Sequence, residues 1–295
     1  MHIPNTSDAT TAALTRRFGG GYASLLPREE HVPVIPREAF DGKRVLVTGA
    51  EGFLGRRVGQ RLDELGADTF LTDLDDLDIT DGDLVDRTIR QLQPELIVHL
   101  AAMKHAPLGE IHPLETAQIN VNGTSNVVEA AKVAGVAPGA LVFVSTCKAA
   151  APETVYGATK LLGERVALEA GFAAVRLGNV LGSSGSVLEI WQSQATRGDA
   201  LAVTPCKRFW LTPDEAVGLI LAPFVLGPGL YHFDAGEAEP VENLARRFDP
   251  TCAVVHVPPR RGDRLVERFL ADGERAELTS LAPIRRILEA WEAAS

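Results

Sequence analysis

Arg44-Val45-Leu46-Val47-Thr48-Gly49-Ala50-Glu51-Gly52-Phe53-Leu54-Gly55 is the stretch that decides the fold. Its first half is an apolar run of strand length, and FLGRRVGQRLDELG, closing at Gly66, reads as the helix behind it. Gly49 permits a tight turn, Gly52 lets backbone approach a pyrophosphate, and Gly55 allows the helix to pack closely. The helix N-terminus adds partial positive charge. Three glycines alone describe many strand-to-helix turns. Here they open a βαβ unit whose second strand, DTFLTD, ends in Asp73, where a carboxylate accepts hydrogen bonds from both ribose hydroxyls. The reading is a dinucleotide site made of Gly49, Gly52, Phe53, Leu54, Gly55 and Asp73. Asp73 favours NAD, because a carboxylate repels a 2′-phosphate. Arg56 and Arg57, just past the glycines, keep NADP as the alternative. Asp78 lies where the chain passes the adenine, and its other role is to cap the following helix.

Outward from this unit the alternation continues: LVDRTIRQLQ as a helix, ELIVHLAA as a strand, a long helix over 114–133, the strand ALVFVST, a helix over 156–170 and the strand FAAVRL. Such a rhythm requires crossover connections and a parallel sheet. The expected fold is α/β, a Rossmann-type doubly wound parallel sheet with a smaller C-terminal substrate-binding region. Residues 41–177 form the dinucleotide-binding domain, with 207–226 returning to it, and 178–206 and 227–295 form the substrate-binding region. Residues 1–40, with four prolines and the run Gly19-Gly20-Gly21, read as an extended N-terminal arm.

Composition narrows the function. Among 295 residues, 29 Lys plus Arg face 39 Asp plus Glu, a balance of −10 that argues against nucleic acid as a partner. No apolar stretch reaches the roughly 18 to 20 residues of a membrane span, and the N-terminus lacks an apolar signal core, so a cytoplasmic protein is expected. Three cysteines without a CxxC pair point to neither a disulfide framework nor a zinc site.

Tyr156-Gly157-Ala158-Thr159-Lys160 places a phenol and an ammonium four residues apart, on one face of a helix. A lysine near a tyrosine favours the phenolate, which can take the proton of a sugar hydroxyl as its carbon is oxidised. Thr146, at the end of ALVFVST, can bind the same hydroxyl. With Asn120 on the neighbouring helix, this set resembles the extended short-chain dehydrogenase/reductase family of nucleotide-sugar enzymes. The segments AAMKHAPLGEIHPLETAQINVNGT, STCKAAAPETVYGATK, RLGNVLGSSGSV and PPRRGDRLVE narrow the resemblance to the inverting UDP-N-acetylglucosamine 4,6-dehydratases and related capsular polysaccharide biosynthesis proteins, over about residues 24–270.

That resemblance implies oxidation of sugar carbon 4 by the cofactor, loss of water across carbons 5 and 6, and return of hydride to carbon 6. Tyr156 is then the carbon-4 base, supported by Thr146 and Lys160, and Lys148 is the base at carbon 5. Ala101 and Lys104 join the cofactor site, together with Tyr156 and Lys160. Lys104, His105, Asn179, Arg208 and Arg260 are placed at the UDP-sugar. The resemblance also implies a homodimer, paired through the helices over 114–133 and 156–170.

The chain departs from the family pattern at its chemical centre: the usual Ser-Thr-Asp-Lys has Cys147 in place of aspartate. A thiol donates a hydrogen bond but carries no charge at neutral pH, so its presence is expected to lower the pKa of Lys148. Ser184 stands where arginine is common, the stretch before Arg208 is short, and only 74–77 separate Asp73 from Asp78, which opens the adenine pocket. The expected activity is an NAD(P)-dependent nucleotide-sugar dehydratase, a lyase, acting on a UDP-hexose or UDP-N-acetylhexosamine. The alternatives are a 5,6-alkene-forming dehydratase, an epimerase or reductase on the same scaffold, and a non-catalytic sugar-nucleotide-binding protein.

Overall fold

The computed structural model describes residues 13–14, 16–18, 22–233, 236–259, 263–272 and 282–283. β1 (Arg44–Thr48) leads through the glycine turn into α1 (Phe53–Glu64), then β2 (Asp68–Thr72), α2 (Gly82–Leu92) and β3 (Leu96–His99). Short helices α3 (Ala106–Ile111) and α4 (Pro113–Ala117) precede a π-turn, Gln118–Gly123, which runs straight into α5 (Thr124–Val133). β4 (Leu141–Thr146), α6 (Val155–Glu169) and β5 (Ala173–Leu177) complete the alternating part. Beyond it lie β6 (Asn179–Val180), α7 (Val187–Arg197), β7 (Leu201–Val203), β8 (Lys207–Arg208), β9 (Trp210–Leu211), α8 (Pro213–Leu221) and α9 (Pro223–Leu226). The last elements are β10 (Gly229–His232), β11 (Glu239–Pro240), α10 (Val241–Phe248), β12 (Val254–His256) and β13 (Ala282–Pro283).

Seven strands pair in the order β13-β10-β5-β4-β3-β1-β2, every pair parallel. Strand order reverses between β1 and β3, because the chain builds β2 on one side of β1 and then crosses to the other. Ligands of open α/β sheets bind at such a switch point, beyond the carboxyl ends of the strands. Both Thr48 at the end of β1 and Thr146 at the end of β4 open toward that end.

Burial on both faces explains why the strands read as continuous apolar runs. Val45 and Val47 pack with Val58 and Leu62 of α1 and with Leu219 and Ile220 of α8. Leu46, between them in sequence, faces the other way, with Val85, Ile89, Val127, Val128 and Phe143. A third apolar cluster surrounds Trp191 in the C-terminal region and includes Leu201, Trp210, Leu244 and Phe248.

The structure corrects two boundaries drawn from the sequence. Gly229–His232, assigned above to the substrate-binding region, is a strand of the main sheet beside β5, while β8 and β9 pair with β11 and β6 in small separate sheets. The described residues before 41 are also not a free arm. Leu14, Tyr22, Leu25 and Leu26 are buried in the Trp191 cluster, and Ile35 and Phe40 in the core beneath α1. Among the described residues, no helix is long and apolar enough to cross a membrane.

Candidate active site

Gly49 sits at φ +73°, and a Cβ there would come within 2.7 Å of the Ala101 backbone nitrogen. A Cβ on Gly55 would run into the Gly49 carbonyl. These two glycines let α1 start directly against the loop after β3, which brings Ala101 to the glycine turn. Asp73 faces the same turn: its carboxylate accepts the Glu51 N–H at 2.9 Å and the Leu74 N–H at 2.8 Å. A bare backbone loop, a helix N-terminus and a carboxylate at the end of β2 together fit the pyrophosphate and ribose of a dinucleotide. Asp78 accepts from the Thr80 N–H and hydroxyl at 2.9 and 2.7 Å, which closes a local turn; the cap of α2 is Asp81, accepting from Leu84 N–H.

Behind the turn, Thr48 Oγ1 meets His99 Nδ1 at 2.7 Å and His99 Nε2 meets Thr124 Oγ1 at 3.1 Å. Burial, aided by the Lys160 charge, holds the His99 pKa down at about 3, so the imidazole is neutral. Asn120, in the π-turn, accepts from Met103 N–H at 2.7 Å and donates to the Met103 carbonyl and to Thr159 Oγ1, both at 3.0 Å. It thereby ties the loop carrying Lys104 and His105 to α6. His105 lies against Gly185 across the site, while Lys104 is exposed.

α6 starts at the site because Thr154 caps it, accepting the Gly157 N–H at 3.0 Å. Tyr156 and Lys160 occupy successive turns. Lys160 is buried with its ammonium 4.0 Å from the centre of the Phe143 ring; burial, partly opposed by Glu164, lowers its pKa to about 7. Tyr156 is partly buried, and burial raises its pKa against the opposing effects of the Lys148 charge and a hydrogen bond with Thr146. The cation acting on Tyr156 is therefore Lys148, from the turn after β4, where the sequence pointed to Lys160.

That turn, Cys147–Ala149, begins where Thr146 Oγ1 accepts the Lys148 N–H at 3.3 Å. Cys147 is wholly buried; burial first, then the Glu267 carboxylate, push its thiol up to about 12. Thr146 acts the other way and favours the thiolate, as does the Lys148 charge. Lys148 Nζ lies 2.7 Å from Glu267 Oε1 and 3.4 Å from Asn179 Oδ1. Burial opposes its charge, but Glu267, with Cys147 and Tyr156, outweighs burial and holds the ammonium above the ordinary lysine range. The expectation that Cys147 lowers the Lys148 pKa is thus overturned: a carboxylate from elsewhere in the chain occupies the neighbourhood of the missing aspartate.

Glu267 itself has no exposed side-chain surface, accepts from Asn179 Nδ2 at 2.6 Å, and lies 3.4 Å from Arg208 Nε. Burial favours its neutral form, yet Lys148 and Arg208 together hold its pKa below the ordinary value. Asn179 and Arg208, expected at a diphosphate, are instead gathered around this carboxylate, and Arg208 also donates to the Arg264 carbonyl at 2.6 Å. Arg260 lies outside the described residues. The sequence reading missed Glu267 although its segment was singled out. It also missed Arg264, whose guanidinium donates to the carbonyls of Ala150 and Ala151 at 2.7 and 3.0 Å, stapling the segment 263–269 to the Lys148 turn. A cavity of about 460 Å³, lined by Lys207, Phe209, His232 and Phe269, reaches Glu267.

This arrangement offers one phenol, one ammonium and one thiol around a turn at the switch-point end of the sheet, beside a loop suited to a dinucleotide. Residues 72–289 match the family described as polysaccharide biosynthesis protein. The probable polysaccharide biosynthesis protein EpsC of Bacillus subtilis (strain 168) is 32% identical over 70% of this chain and 40% of its own length, so the chain spans less than half of that relative. A UDP-N-acetylglucosamine 4,6-dehydratase (inverting) of Campylobacter jejuni subsp. jejuni serotype O:23/36 (strain 81-176) is 27% identical over 80% of this chain and 79% of its own. Among solved structures, TunA, described as an NAD-dependent NDP-hexosamine 5,6-dehydratase involved in tunicamycin biosynthesis, superposes with a TM-score of 0.65 at 21% identity, covering 85% of this chain and 98% of TunA. At that identity the likeness is one of fold. The chain belongs to the polysaccharide biosynthesis protein family, built on a Rossmann-type α/β fold.

Proposed function

We propose that the chain is a nucleotide-sugar dehydratase that removes water across carbons 5 and 6 of a UDP-hexose or UDP-N-acetylhexosamine. The observation that carries this reading is the turn Thr146-Cys147-Lys148 facing Tyr156, with Lys148 paired to Glu267 at 2.7 Å. Gly49, Gly52, Gly55 and Asp73 would hold NAD, with Phe53, Leu54 and Ala101 beside them, and the bound dinucleotide would supply the oxidising and reducing capacity at the sugar. Tyr156 takes the carbon-4 hydroxyl proton while Thr146 orients it. Lys160, buried one turn beyond Tyr156 on α6, would hold the nicotinamide ribose. Lys148 and Cys147 handle the protons of the elimination. Lys104 and His105, in the loop after β3, would contact the sugar, and Arg260 is proposed for the diphosphate.

Incubation with UDP-N-acetylglucosamine and with UDP-glucose in heavy water tests this directly. Loss of one water with a new methyl signal in the proton NMR spectrum is the expected outcome. Vinyl signals would assign the 5,6-alkene instead, and unchanged mass with altered ring couplings would assign epimerisation. Binding without turnover of either sugar would defeat the enzymatic reading. We also propose a homodimer through α5 and α6. Val133 is 62% and Leu162 52% exposed on these helices, a pattern that pairing would cover. Sedimentation velocity should give twice the chain mass.

A further inference from the structure

Resting on the dehydratase reading, we infer that Arg264 is a positioning residue: its guanidinium holds Ala151 in a left-handed backbone conformation and so sets the chain reversal between Lys148 and Tyr156. Ala151 has φ +47°. That conformation is unfavourable for an L-residue, whose Cβ comes too close to the following carbonyl oxygen. It is worse here because Pro152 comes next, and a proline ring pushes the residue before it toward extended backbone. Such a residue persists only where its surroundings enforce the conformation.

The enforcing group is Arg264, whose side chain is 2% exposed. Nη1 donates to the Ala150 carbonyl at 2.7 Å and Nη2 to the Ala151 carbonyl at 3.0 Å. These carbonyls flank the Ala151 Cα, so their relative direction is fixed by the φ and ψ of that one residue. A planar fork with donors at a set separation selects the backbone in which both carbonyls point to it. Glu153 Oε1, 3.1 Å from Nη2, balances the charge. On one side of Ala151 the chain returns to α6 at once: a Cβ on Gly157 would lie 2.5 Å from the Lys148 carbonyl oxygen. Ala149 and Ala150 are wholly buried in this reversal, and Thr154 then caps the helix that carries Tyr156. Glu267, three residues after Arg264, pairs with Lys148 at 2.7 Å, so one segment grips both the backbone of the turn and its lysine.

Glycine at position 151 separates this role from a plainer one, in which Arg264 only anchors the segment that carries Glu267. Glycine takes a positive φ without the Cβ cost, so the turn no longer needs the guanidinium to hold it. Arg264→Lys keeps the buried charge but loses the planar fork. In single-turnover reactions with UDP-N-acetylglucosamine and with UDP-glucose it should slow water loss roughly tenfold, the scale of one left-handed residue. In a chain already carrying Ala151→Gly, the same change should slow it by less than about threefold. Ala151→Val, with Arg264 intact, should also slow water loss by about tenfold, because a β-branched residue resists positive φ. Hydrogen exchange over residues 147–158, followed by mass spectrometry, reads the turn without any turnover. Arg264→Lys should speed that exchange, and Ala151→Gly should remove most of the increase. Equal slowing by Arg264→Lys in both backgrounds, or exchange that Arg264→Lys leaves unmoved, would overturn the inference and leave the dehydratase reading standing. Absence of turnover in the unaltered chain would instead overturn the dehydratase reading and the catalytic part of the inference, while the exchange pattern still decides whether Arg264 holds the turn.

Discussion

A lysine buried against an aromatic ring is a liability that pH can expose. Lys160 has a folded pKa of about 7 against an ordinary 10.5. Between these values the unfolded chain binds more protons than the folded one at this site, so its contribution to stability rises with pH, by at most about 1.4 kcal/mol per unit. Below about pH 7 both states are protonated and the burial cost is present in full. Lys160→Met should flatten this slope, so urea midpoints of the two proteins should differ most near neutral pH and converge as pH rises toward 10. Parallel curves would refute a lowered lysine pKa. The position of Lys160 was legible because the spacing i, i+4 fixes a helix face. The charge that acts on Tyr156 was not, since Lys148 comes from another element. Glu267 was hidden for a sharper reason: in Leu265-Val266-Glu267 the apolar side chains are 57% and 52% exposed while the acid is buried, the reverse of what hydropathy predicts.

At the scale of elements, the strands and helices from β1 to β5 were readable because each carries its own apolar period and local stop signals. The helix expected over 114–133 instead contains a π-turn that swings Asn120 onto Met103 and Thr159, a detail that no period encodes. Two-residue strands such as β8 and β9 have no local signature at all, because their partners β11 and β6 define them. α8 shows how a helix start is shared between distant segments. Thr212 and Glu215 form a reciprocal capping box with both bonds at 3.1 Å. The same buried carboxylate accepts Arg28 Nη1 at 2.6 Å and the His31 N–H at 2.7 Å. Glu215→Ala therefore removes half a cap and strands a guanidinium, which should cost about 3–5 kcal/mol in urea unfolding. Arg28→Met in the same chain should recover part of that loss. An equal loss in the single and double variants would mean that the cap alone matters.

For the whole molecule, the described N-terminal residues help hold the C-terminal region around Trp191 together. Leu14, Tyr22, Leu25 and Leu26 are between 1% and 6% exposed and close the Trp191 cluster. Arg247 donates to the Leu25 carbonyl at 2.9 Å, and Arg17 to the Phe248 carbonyl at 2.7 Å, so the segment is fixed to α10 at two points. Tyr22 also packs on Gly182, in the loop that leads from β6 toward α7 and faces His105 at Gly185. The absence of periodicity that made this stretch read as an extended arm reflects the role of its described residues: they cover another core and have no face of their own to repeat. Burial of each apolar side chain contributes about 1.5–3 kcal/mol before the cost of ordering the segment. Deletion of residues 1–26 should lower stability on the order of 5 kcal/mol and expose apolar surface that binds a fluorescent dye. Ile35 and Phe40 remain under α1 in that truncated chain, so its glycine turn should still bind a dinucleotide, while affinity for a UDP-sugar should fall with the loosened 181–186 loop. Calorimetric titration with NAD and with UDP-glucose separates the two effects. Equal loss of both ligands would show that the segment supports the entire fold, and loss of neither would show that the Trp191 cluster closes without it.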